Sequence, residues 1–351
     1  MSLRDSLVRR FPALERMPHG TFVVGGAIRD LLRGTNPADV DLACGDPLAC
    51  ARLLSDRVIR LGTGEHLSAW RVVDGGHVYD FAAILDGDIA LDLARRDFTI
   101  NAMAVDLHSG ELLDPHHGQR DLRERVVRMI DAANFDDDPL RLLKAVRMAV
   151  GLRFTVDGPT MDAIRQRAES VVRAAPERIN YELSVILSAG AFRMAIDLLH
   201  RTRLDLALFG RALNPDTFFA DDVSLAAAYA IVVRDPKSFA KRWRWSASLL
   251  REVTTLQRLV EHHDPIALYD AGEGIARQLP SLLCALGRAA VATPDALFRI
   301  RTLLTGEDIA AITGLPSGPE LGRRKRALLE AQIRGKVRTR EEAEVFVRSG
   351  S

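Results

Sequence analysis

The distribution of apolar and polar positions changes once along the chain. Between residues 20 and 110, short apolar runs alternate with glycine and aspartate, a pattern typical of strands joined by turns. From about Asp137 onward, apolar residues recur at helical spacing among many alanines, leucines and arginines. The pattern therefore predicts a mixed domain of strands and helices followed by a long helical region. The predicted strands are Thr21–Val24, Val40–Ala43, Ala69–Val73, His77–Ile84 and Met103–Leu107.

The charge balance excludes a uniformly basic protein. The 351 residues include 48 basic and 47 acidic side chains, a net charge of +1, so any nucleic-acid surface must come from local clustering. Only five of the basic residues are lysines, and arginine is well suited to bidentate contact with phosphate. Residues 321–351 hold nine basic and four acidic residues, which fits either a solvated helix face or a phosphate-contact surface.

Cysteine usage and apolar runs limit the setting of the protein. Three cysteines without C-x-x-C spacing argue against a disulfide framework and against a thiolate zinc site. No apolar run reaches the roughly 18–20 residues of a membrane span. Residues 1–10 are charged and lack the apolar core of a signal peptide. These features predict a cytoplasmic protein with no membrane association.

Two clusters near the N-terminus carry candidate chemistry. Gly25 and Gly26 end an apolar run and precede a helical pattern, so the backbone there can approach a phosphate, and Arg29 lies in the first turn. Asp39 and Asp41 are two residues apart in a predicted strand, which places both carboxylates on one face. Like charges on one face are stabilised by a divalent cation, and oxygen ligands favour Mg²⁺ or Mn²⁺. Together the clusters predict a metal and triphosphate site.

Two further segments extend this prediction. Asp80, in another apolar run, either completes a carboxylate triad for two-metal phosphoryl transfer or is a surface-facing strand residue. Arg95 and Arg96 precede a segment that is predicted to be helical and contains Asn101. Next to a triphosphate site, this arginine pair is interpreted as a phosphate or sugar contact.

A third segment combines a helix start with a charged stripe. Pro139 suits the first turn of a helix, and Asp138 is the candidate cap. Arg141, Lys144 and Arg147 then follow at three-residue spacing on the same face. Alone, this stripe is equally compatible with an amphipathic helix that forms ordinary salt bridges.

Taken in order, these motifs resemble those of the class II tRNA nucleotidyltransferases, the bacterial CCA-adding enzymes and their poly(A) polymerase relatives in the polymerase-β superfamily. The resemblance extends into the segments Leu304–Asp308 and Gly318–Gly322 and covers nearly the whole chain. The motifs are Gly25-Gly26-x-x-Arg29-Asp30 with Asp39-x-Asp41, Arg95-Arg96-Asp97-Phe98-Thr99-Ile100-Asn101-Ala102, Asp114-Pro115-x-x-Gly118-x-x-Asp121-Leu122, Asp137-Asp138-x-x-Arg141 and Glu177-Arg178-Ile179-x-x-Glu182-Leu183.

The resemblance implies an α+β fold, with a polymerase-β-like nucleotidyltransferase head, a small mixed sheet with helices, followed by an all-α neck, body and tail. The implied boundaries are 1–125 for the catalytic head, 126–190 for the base-reading neck, 191–293 for the body and 294–351 for the tRNA-binding tail. The implied partners are Mg²⁺, CTP as the nucleotide donor with ATP as a further candidate donor, and a tRNA held by its acceptor stem and elbow.

The resemblance also assigns site residues. It makes Asp39 and Asp41 the metal ligands and assigns nucleotide contacts to Gly26, Arg29 and Arg96. It makes Asp138 and Arg141 the pair that reads the incoming base. Two further nucleotide contacts fall on Lys144, where the family has an arginine, and on Arg147.

The base-reading pair has a chemical rationale. A carboxylate accepts from the amino group of cytosine or adenine, while a guanidinium donates to the neighbouring ring nitrogen. Uracil presents a carbonyl and an N–H at these positions, so both contacts fail and the buried polar groups lose their partners. Asp138 and Arg141 are therefore expected to accept CTP and ATP and to reject UTP.

The product is inferred from a short segment. Only 14 residues, Phe81–Ala94, separate Asp80 from Arg95, where the complete CCA-adding and A-adding members carry a longer flexible loop. This favours a CC-adding enzyme that adds C74 and C75, with a separate A-adding enzyme acting afterwards. The alternatives are a complete CCA-adding enzyme, an A-adding enzyme, a poly(A) polymerase, a metal-dependent nucleotide hydrolase and a non-catalytic RNA-binding relative. The stretch that distinguishes the poly(A) polymerases has no counterpart at Leu61–His66.

Overall fold

A computed structural model describes residues 2–61 and 69–349. The chain divides into two compact units. The first unit comprises Met1–Ile186 and Asp197–Ala212, and the second comprises Leu187–Ile196 and Leu213–Ser351. The predicted head and most of the predicted neck belong to the first unit, while the four-domain division itself stays a prediction.

The described part of the first unit contains a seven-stranded mixed sheet in the order β3-β4-β5-β2-β1-β6-β7. Strands β2 and β5 are parallel, and the other neighbouring pairs are antiparallel. The strands are β1 (Phe22–Val24), β2 (Asp39–Cys44), β3 (Ile59–Leu61), β4 (Ala69–Asp74), β5 (His77–Ala83), β6 (Ala104–Asp106) and β7 (Leu112–Leu113).

The five predicted strands are confirmed, each with small differences at its ends. The prediction of a helix after Arg96 is wrong, because Thr99–Asn101 forms a single 3₁₀ turn and β6 follows. Ala104 and Val105 are fully buried where β6 pairs with β1, so sheet pairing overrides the local helical pattern.

Helices flank the sheet and continue beyond it. The predicted all-helical neck has one exception, a two-residue parallel pair between β8 (Val126–Val127) and β9 (Thr155–Val156). The helices of this part of the chain are α1 (Leu3–Arg10), α2 (Gly26–Leu32), α3 (Pro47–Arg52), α4 (Ile89–Ala94), α5 (Gly118–Glu124), α6 (Ala133–Asp137), α7 (Arg141–Leu152), α8 (Gly158–Arg167), α9 (Pro176–Leu187), α10 (Phe192–Arg201) and α11 (Leu204–Phe209).

The core of the first unit lies between the sheet and the helices on one of its faces. Side chains of α1, α2 and α3 pack there on alternate residues of β1, β2 and β5, with Leu7, Ile28 and Phe81 fully buried. Each buried apolar side chain of this size contributes about 1.5–3 kcal/mol relative to an exposed one. The core thereby fixes the start of α2 against the polar positions of β2.

The described residues of the second unit form helices and their connecting segments, and none of them forms a strand. Trp243 and Trp245 are buried in an aromatic cluster with Tyr229 and Phe239, so both tryptophans belong to the core of this unit. Its helices are α12 (Leu225–Val232), α13 (Pro236–Trp243), α14 (Ala247–Glu261), α15 (Pro265–Ala271), α16 (Glu273–Ala276), α17 (Leu279–Ala285), α18 (Asp295–Arg299), α19 (Gly306–Thr313), α20 (Pro319–Ile333) and α21 (Arg340–Ser349).

The basic C-terminal segment is neutralised in part by acidic residues of the second unit. Arg323 pairs with Glu320, Arg326 with Asp270 and Glu330, and Arg340 with Asp308. The segment therefore presents fewer available cations than its composition indicates. None of the described helices combines the length and apolar composition that a membrane span requires.

Candidate active site

The Gly25–Gly26 turn joins β1 to α2 with a geometry that requires glycine. Gly25 has a φ of +76°, and its N–H donates to the carbonyl oxygen of Met103 at 3.1 Å. A Cβ atom at Gly25 would lie 3.1 Å from Nη1 of Arg96. The turn therefore leaves room for the arginine beside the first N–H groups of α2, where a phosphate is favourably bound.

Asp39 and Asp41 occupy the polar positions of β2 next to this turn. Both are exposed, while Val40 and Leu42 between and after them are buried. Asp41 pairs with Val24 across the sheet, and its Oδ2 would lie 3.8 Å from a Cβ atom at Gly25. The predicted common face of the two carboxylates is confirmed.

Several groups act on the charge of Asp41. Burial among surrounding protein atoms raises the pKa of Asp41 to about 6, even though part of the residue remains open to solvent. Arg96 lowers this pKa, whereas Asp80 and Asp39 raise it. The site thus holds carboxylate charge that a cation would stabilise.

Asp80 lies on β5 directly beside Asp41, because the two residues are partners in the parallel pairing of β2 and β5. Both of its carboxylate oxygens accept hydrogen bonds from Arg71 on β4, from Nε at 2.8 Å and from Nη2 at 2.7 Å. The hydrogen bond to Asp80 raises the pKa of Arg71. The neighbouring-strand position predicted for Asp80 is confirmed, and its catalytic role stays a prediction.

The donor set of β2 fits a hard divalent cation. Asp39 and Asp41 supply two carboxylates on one face, with mutual repulsion that a cation would relieve. Within residues 2–61 and 69–349, no three histidine, cysteine or acidic side chains are arranged as a metal-ligand cluster. Asp80 does not serve as a third ligand in this arrangement, because both of its carboxylate oxygens accept hydrogen bonds from Arg71.

Two arginines border the turn and the carboxylates. Arg96 is held by Asp92, which accepts from its Nη2 at 3.0 Å. Arg29 donates from Nη1 to Oδ1 of Asn101 at 2.7 Å, and Asn101 in turn donates to Asp97 at 3.0 Å. The structure therefore brings Gly25, Arg29, Asp41 and Arg96 together, as the motifs predict.

A buried layer supports the segment that carries Arg96 and Asn101. A Cβ atom at Gly118 would lie 2.3 Å from the carbonyl oxygen of Thr99, so only glycine allows α5 to pack there. The hydroxyl of Thr99 donates at 2.8 Å to Asp121, which is fully buried and also accepts from Arg128 at 3.0 Å. The motif from Asp114 to Leu122 thus has a structural role.

Asp138 and Arg141, the residues predicted to read the base, lie between the end of α6 and the start of α7. Asp138 accepts from the N–H of Leu140 at 3.2 Å, so it caps the turn that precedes α7, and it accepts from Arg178 at 3.0 Å. Arg141 donates from Nη1 to the carbonyl oxygens of Arg95 and Asn134, at 2.8 and 3.1 Å. The remaining N–H groups of Arg141 and lone pairs of Asp138 suffice to contact a base.

Lys144 and Arg147 differ in their surroundings. Lys144 forms no salt bridge or side-chain hydrogen bond with any described residue. Arg147 donates from Nε to Oε2 of Glu182 at 2.6 Å, and Glu182 is buried in α9. The described contacts therefore tie Arg147 to the α7–α9 packing, while its nucleotide contact stays a prediction.

The motifs did not single out Arg71 or Asn134. Arg71 could have been found from the hairpin, because a two-residue Gly75-Gly76 turn pairs Asp74 with His77 and hence Arg71 with Asp80. Asn134 is buried and donates to the carbonyl oxygens of Ala94 and Arg96, at 3.0 and 2.8 Å. No local pattern marks Asn134, since its partners lie about 40 residues earlier in the chain.

Comparisons with known proteins identify sequences that are similar to this chain. Residues 21–86 and 84–128 match the family described as poly A polymerase head domain, and residues 153–213 match that described as probable RNA and SrmB-binding site of polymerase A. The chain is 32% identical to an A-adding tRNA nucleotidyltransferase of Deinococcus radiodurans, over 97% of this chain and 98% of that protein. It is 31% identical to a CC-adding tRNA nucleotidyltransferase of Geobacter sulfurreducens, over 93% and 91%.

Solved structures show the same fold at lower identity. The CCA-adding enzyme of Bacillus stearothermophilus in complex with CTP superposes with a TM-score of 0.78 at 24% identity, covering 100% of this chain and 98% of that one. The Thermotoga maritima CCA-adding enzyme complexed with tRNA gives a TM-score of 0.73 at 24% identity, with coverages of 98% and 94%. The predicted α+β fold is confirmed.

Proposed function

The chain belongs to the tRNA nucleotidyltransferase family, and from this premise we propose that it adds C74 and C75 to the 3′ end of tRNA with CTP as the donor. The terminal hydroxyl of the tRNA attacks the α-phosphate of CTP, and pyrophosphate leaves. The observation that carries the proposal is the placement of the Asp39 and Asp41 strand beside the Gly25 turn, with Arg96 next to Gly25 and Asp41.

Each residue of the site has a defined part in this reaction. The turn at Gly25 and Gly26 and the guanidiniums of Arg29 and Arg96 bind and orient the triphosphate. Asp39 and Asp41 would hold Mg²⁺, which when bound lowers the pKa of the attacking hydroxyl and offsets charge developing at the α-phosphate.

Specificity for the base rests on the start of α7. Asp138 accepts from the cytosine amino group and Arg141 donates to N3, each held in place by contacts with the protein. Asp138 and Arg141 keep their protein partners when UTP is present. The free-energy penalty for UTP binding therefore arises from the lost contacts with the base and from repulsion between the base and these two side chains. Lys144 and Arg147 are proposed as further nucleotide contacts along the same helix.

The assignment of CC addition rests on residues 81–94. After β5 ends, this stretch forms a 3₁₀ turn at Leu85–Gly87 and then α4, which ends next to Arg95. This supports the proposal because no long loop separates Asp80 from the arginine pair. The poly(A) polymerase comparison at Leu61–His66 falls mostly on residues 62–66, which lie outside the described residues.

A-adding activity is the second candidate, and one observation favours it. The Deinococcus radiodurans relative is an A-adding enzyme and aligns with nearly all of this chain, at an identity close to that of the CC-adding relative. The CC-adding proposal includes three further points. A separate enzyme adds the terminal A, the protein is cytoplasmic, and the tRNA is bound by its acceptor stem and elbow.

Primer extension tests the proposal and separates the alternatives. Purified protein is given Mg²⁺ with CTP, ATP, UTP or CTP plus ATP, on tRNA transcripts ending at the discriminator base or at C75. Two added nucleotides with CTP, and no extension of the C75 transcript by ATP, are expected. Three nucleotides with CTP plus ATP would identify a complete CCA-adding enzyme, and extension of only the C75 transcript would identify an A-adding one.

Matched variants separate catalysis from folding in the same assay. Asp41→Asn is expected to reduce extension by about a thousandfold or more, because a ligand charge at the reacting phosphate is lost. The control Asp56→Asn removes an exposed carboxylate elsewhere in the first unit and is expected to retain full extension. Full extension by both variants would contradict the assignment of Asp41 as a metal ligand.

A further inference from the structure

A cleft of about 550 Å³ lies in the first unit, away from the candidate nucleotide residues. The C-terminal ends of α2, α5 and α7 converge on it. Its walls combine an apolar floor with three arginines and contain no acidic residue. The residues that matter below are Arg33, Arg123, Arg125, Leu122, Leu152 and Phe154.

The arginines of this cleft are available to a ligand. All three are exposed. Arg123 and Arg125 form no salt bridge with any residue in the ranges 2–61 and 69–349. Arg33 is only weakly engaged, with Asp30 at 3.9 Å, because that carboxylate is bound by Arg29 at 2.9 Å.

Helix dipoles do not cancel this charge. Each helix C-terminus carries at most about half a negative charge, so three of them contribute roughly −1.5 against three whole cations. The cleft remains net positive, and guanidinium groups bind phosphate oxygens in bidentate fashion. The chemistry of the cleft is therefore that of a phosphate-binding site.

The position of the cleft separates it from the CTP site. Arg33 follows the last residue of α2, about 10 Å along the helix axis from Gly26 at its start. Leu152 ends α7, about 16 Å from Arg141. A single nucleotide bound at the Gly25 turn therefore leaves this cleft free for a second phosphate-bearing group.

We propose that this cleft binds a backbone phosphate of the tRNA. Its polar groups are almost all guanidiniums, and Phe154, with the guanidinium of Arg33 5.9 Å from its ring centroid, is buried and unable to stack on a base. Such a surface contacts the backbone without reading sequence. The inference rests on the proposed function, because it takes tRNA as the source of the phosphate.

The test uses the full-length protein and a double variant, Arg123→Gln/Arg125→Asn. Asparagine is chosen because Arg125 has a φ of +58°, a conformation that asparagine tolerates. The control is Arg52→Gln/Arg57→Gln, which removes two exposed arginines outside the cleft, one of them in the last turn of α3. Dissociation constants for tRNA, CTP and pyrophosphate are measured together with thermal stability.

For the cleft variant, the tRNA dissociation constant is expected to rise about 5- to 30-fold. The steepness of the slope of log K against log salt is expected to fall by roughly 1, because the contact with one phosphate is lost. The CTP dissociation constant is expected to stay within twofold of wild type. The control variant is expected to change tRNA binding by less than twofold.

Three results would overturn the proposal. If the cleft variant loses thermal stability but binds tRNA like the control, the arginines only stabilise helix ends. If it weakens CTP or pyrophosphate binding instead of tRNA binding, the cleft takes a free phosphate compound. If wild-type protein neither binds nor extends tRNA, the proposed function is wrong. If wild-type protein extends tRNA and the cleft variant binds tRNA equally well, the proposed function stands and only the phosphate site is wrong.

Discussion

At the scale of single residues, Arg71 decides how much negative charge the β2 and β5 carboxylates present. It binds both oxygens of Asp80, and it also lowers the pKa of Asp41. Asp80 still raises the pKa of Asp41 with Arg71 in place, so Arg71 offsets the charge of Asp80 only in part. We therefore expect Arg71 to act as a positioning residue for the Asp80 carboxylate.

Replacing Arg71 should change stability and metal affinity in opposite directions. Arg71→Gln is expected to lower the free energy of unfolding by about 1–3 kcal/mol, since a charged hydrogen-bond pair is lost. Mn²⁺ affinity, measured by calorimetry, is expected to rise several-fold because Asp80 becomes free and a neighbouring cation is removed.

The double variant Arg71→Gln/Asp80→Asn provides the control for this pair. It is expected to recover part of the stability, since no unpaired carboxylate remains, and to lose the gain in Mn²⁺ affinity. Unchanged stability and Mn²⁺ affinity in Arg71→Gln would contradict the positioning role.

At the scale of elements, the site depends on how α5, α7 and α9 pack. α9 contacts α7 through Glu182 to Arg147, and it contacts the turn before α7 through Arg178 to Asp138. α5 packs through Gly118 on the 3₁₀ turn that carries Asn101. A change in either packing is therefore expected to displace the residues that are proposed to read the base or to bind the phosphates.

Arg147 offers a test of the α7–α9 contact. Arg147→Gln leaves the buried Glu182 carboxylate unpaired and is expected to cost about 3–5 kcal/mol in urea unfolding. Arg147→Gln/Glu182→Gln is expected to recover most of this loss. Lys144→Gln on the same helix is the control and is expected to change stability by less than about 0.5 kcal/mol.

The same comparison separates stability from nucleotide binding. If Arg147→Gln and Lys144→Gln are equally stable and both weaken CTP binding, the main role of Arg147 is toward the nucleotide. The ion pair with Glu182 would then contribute little.

Two glycines test the packing of α5 with a matched pair of substitutions. Gly118→Ala places a Cβ atom against the backbone of Thr99 and is expected to destabilise the protein by about 1–3 kcal/mol. Gly151→Ala, in α7 with open space around the added Cβ, is expected to be neutral or stabilising by up to about 1 kcal/mol. Equal denaturation midpoints for the two variants would contradict the assigned packing.

At the scale of the whole molecule, each of the two units contains an apolar cluster of its own. One cluster around Leu7, Ile28 and Phe81 belongs to the first unit, and another around Leu304, Leu328 and Val347 belongs to the second. All candidate nucleotide residues lie in the first unit. CTP binding is therefore expected to stabilise the first unit and to leave the stability of the second unit unchanged.

Scanning calorimetry of the full chain checks this expectation. Two unfolding transitions are expected, and CTP at about 100 times its dissociation constant should stabilise one of them by about 2.7 kcal/mol. Gly118→Ala should lower the same transition, which assigns it to the first unit. A single transition that shifts as a whole with CTP would show that the units unfold cooperatively.

The sequence by itself determined the features that depend on local periodicity and turn geometry. The alternation in β2 placed Asp39 and Asp41 on one face, the Gly25–Gly26 step marked the start of α2, and the five main strands were predicted close to their observed positions. Strand periodicity and the left-handed conformation at Gly25 are properties of a few neighbouring residues, so local sequence suffices for them.

Only the tertiary structure decided which charges meet. Arg178 reaches Asp138 across 40 residues and Arg147 reaches Glu182 across 35, and neither pairing follows from spacing along the chain. The same holds for the segment after Arg96, where a 3₁₀ turn at Thr99–Asn101 that leads into β6 stands in place of the predicted helix. Long-range packing chooses among several available partners, and this choice depends on the burial and geometry of the folded chain rather than on local pattern.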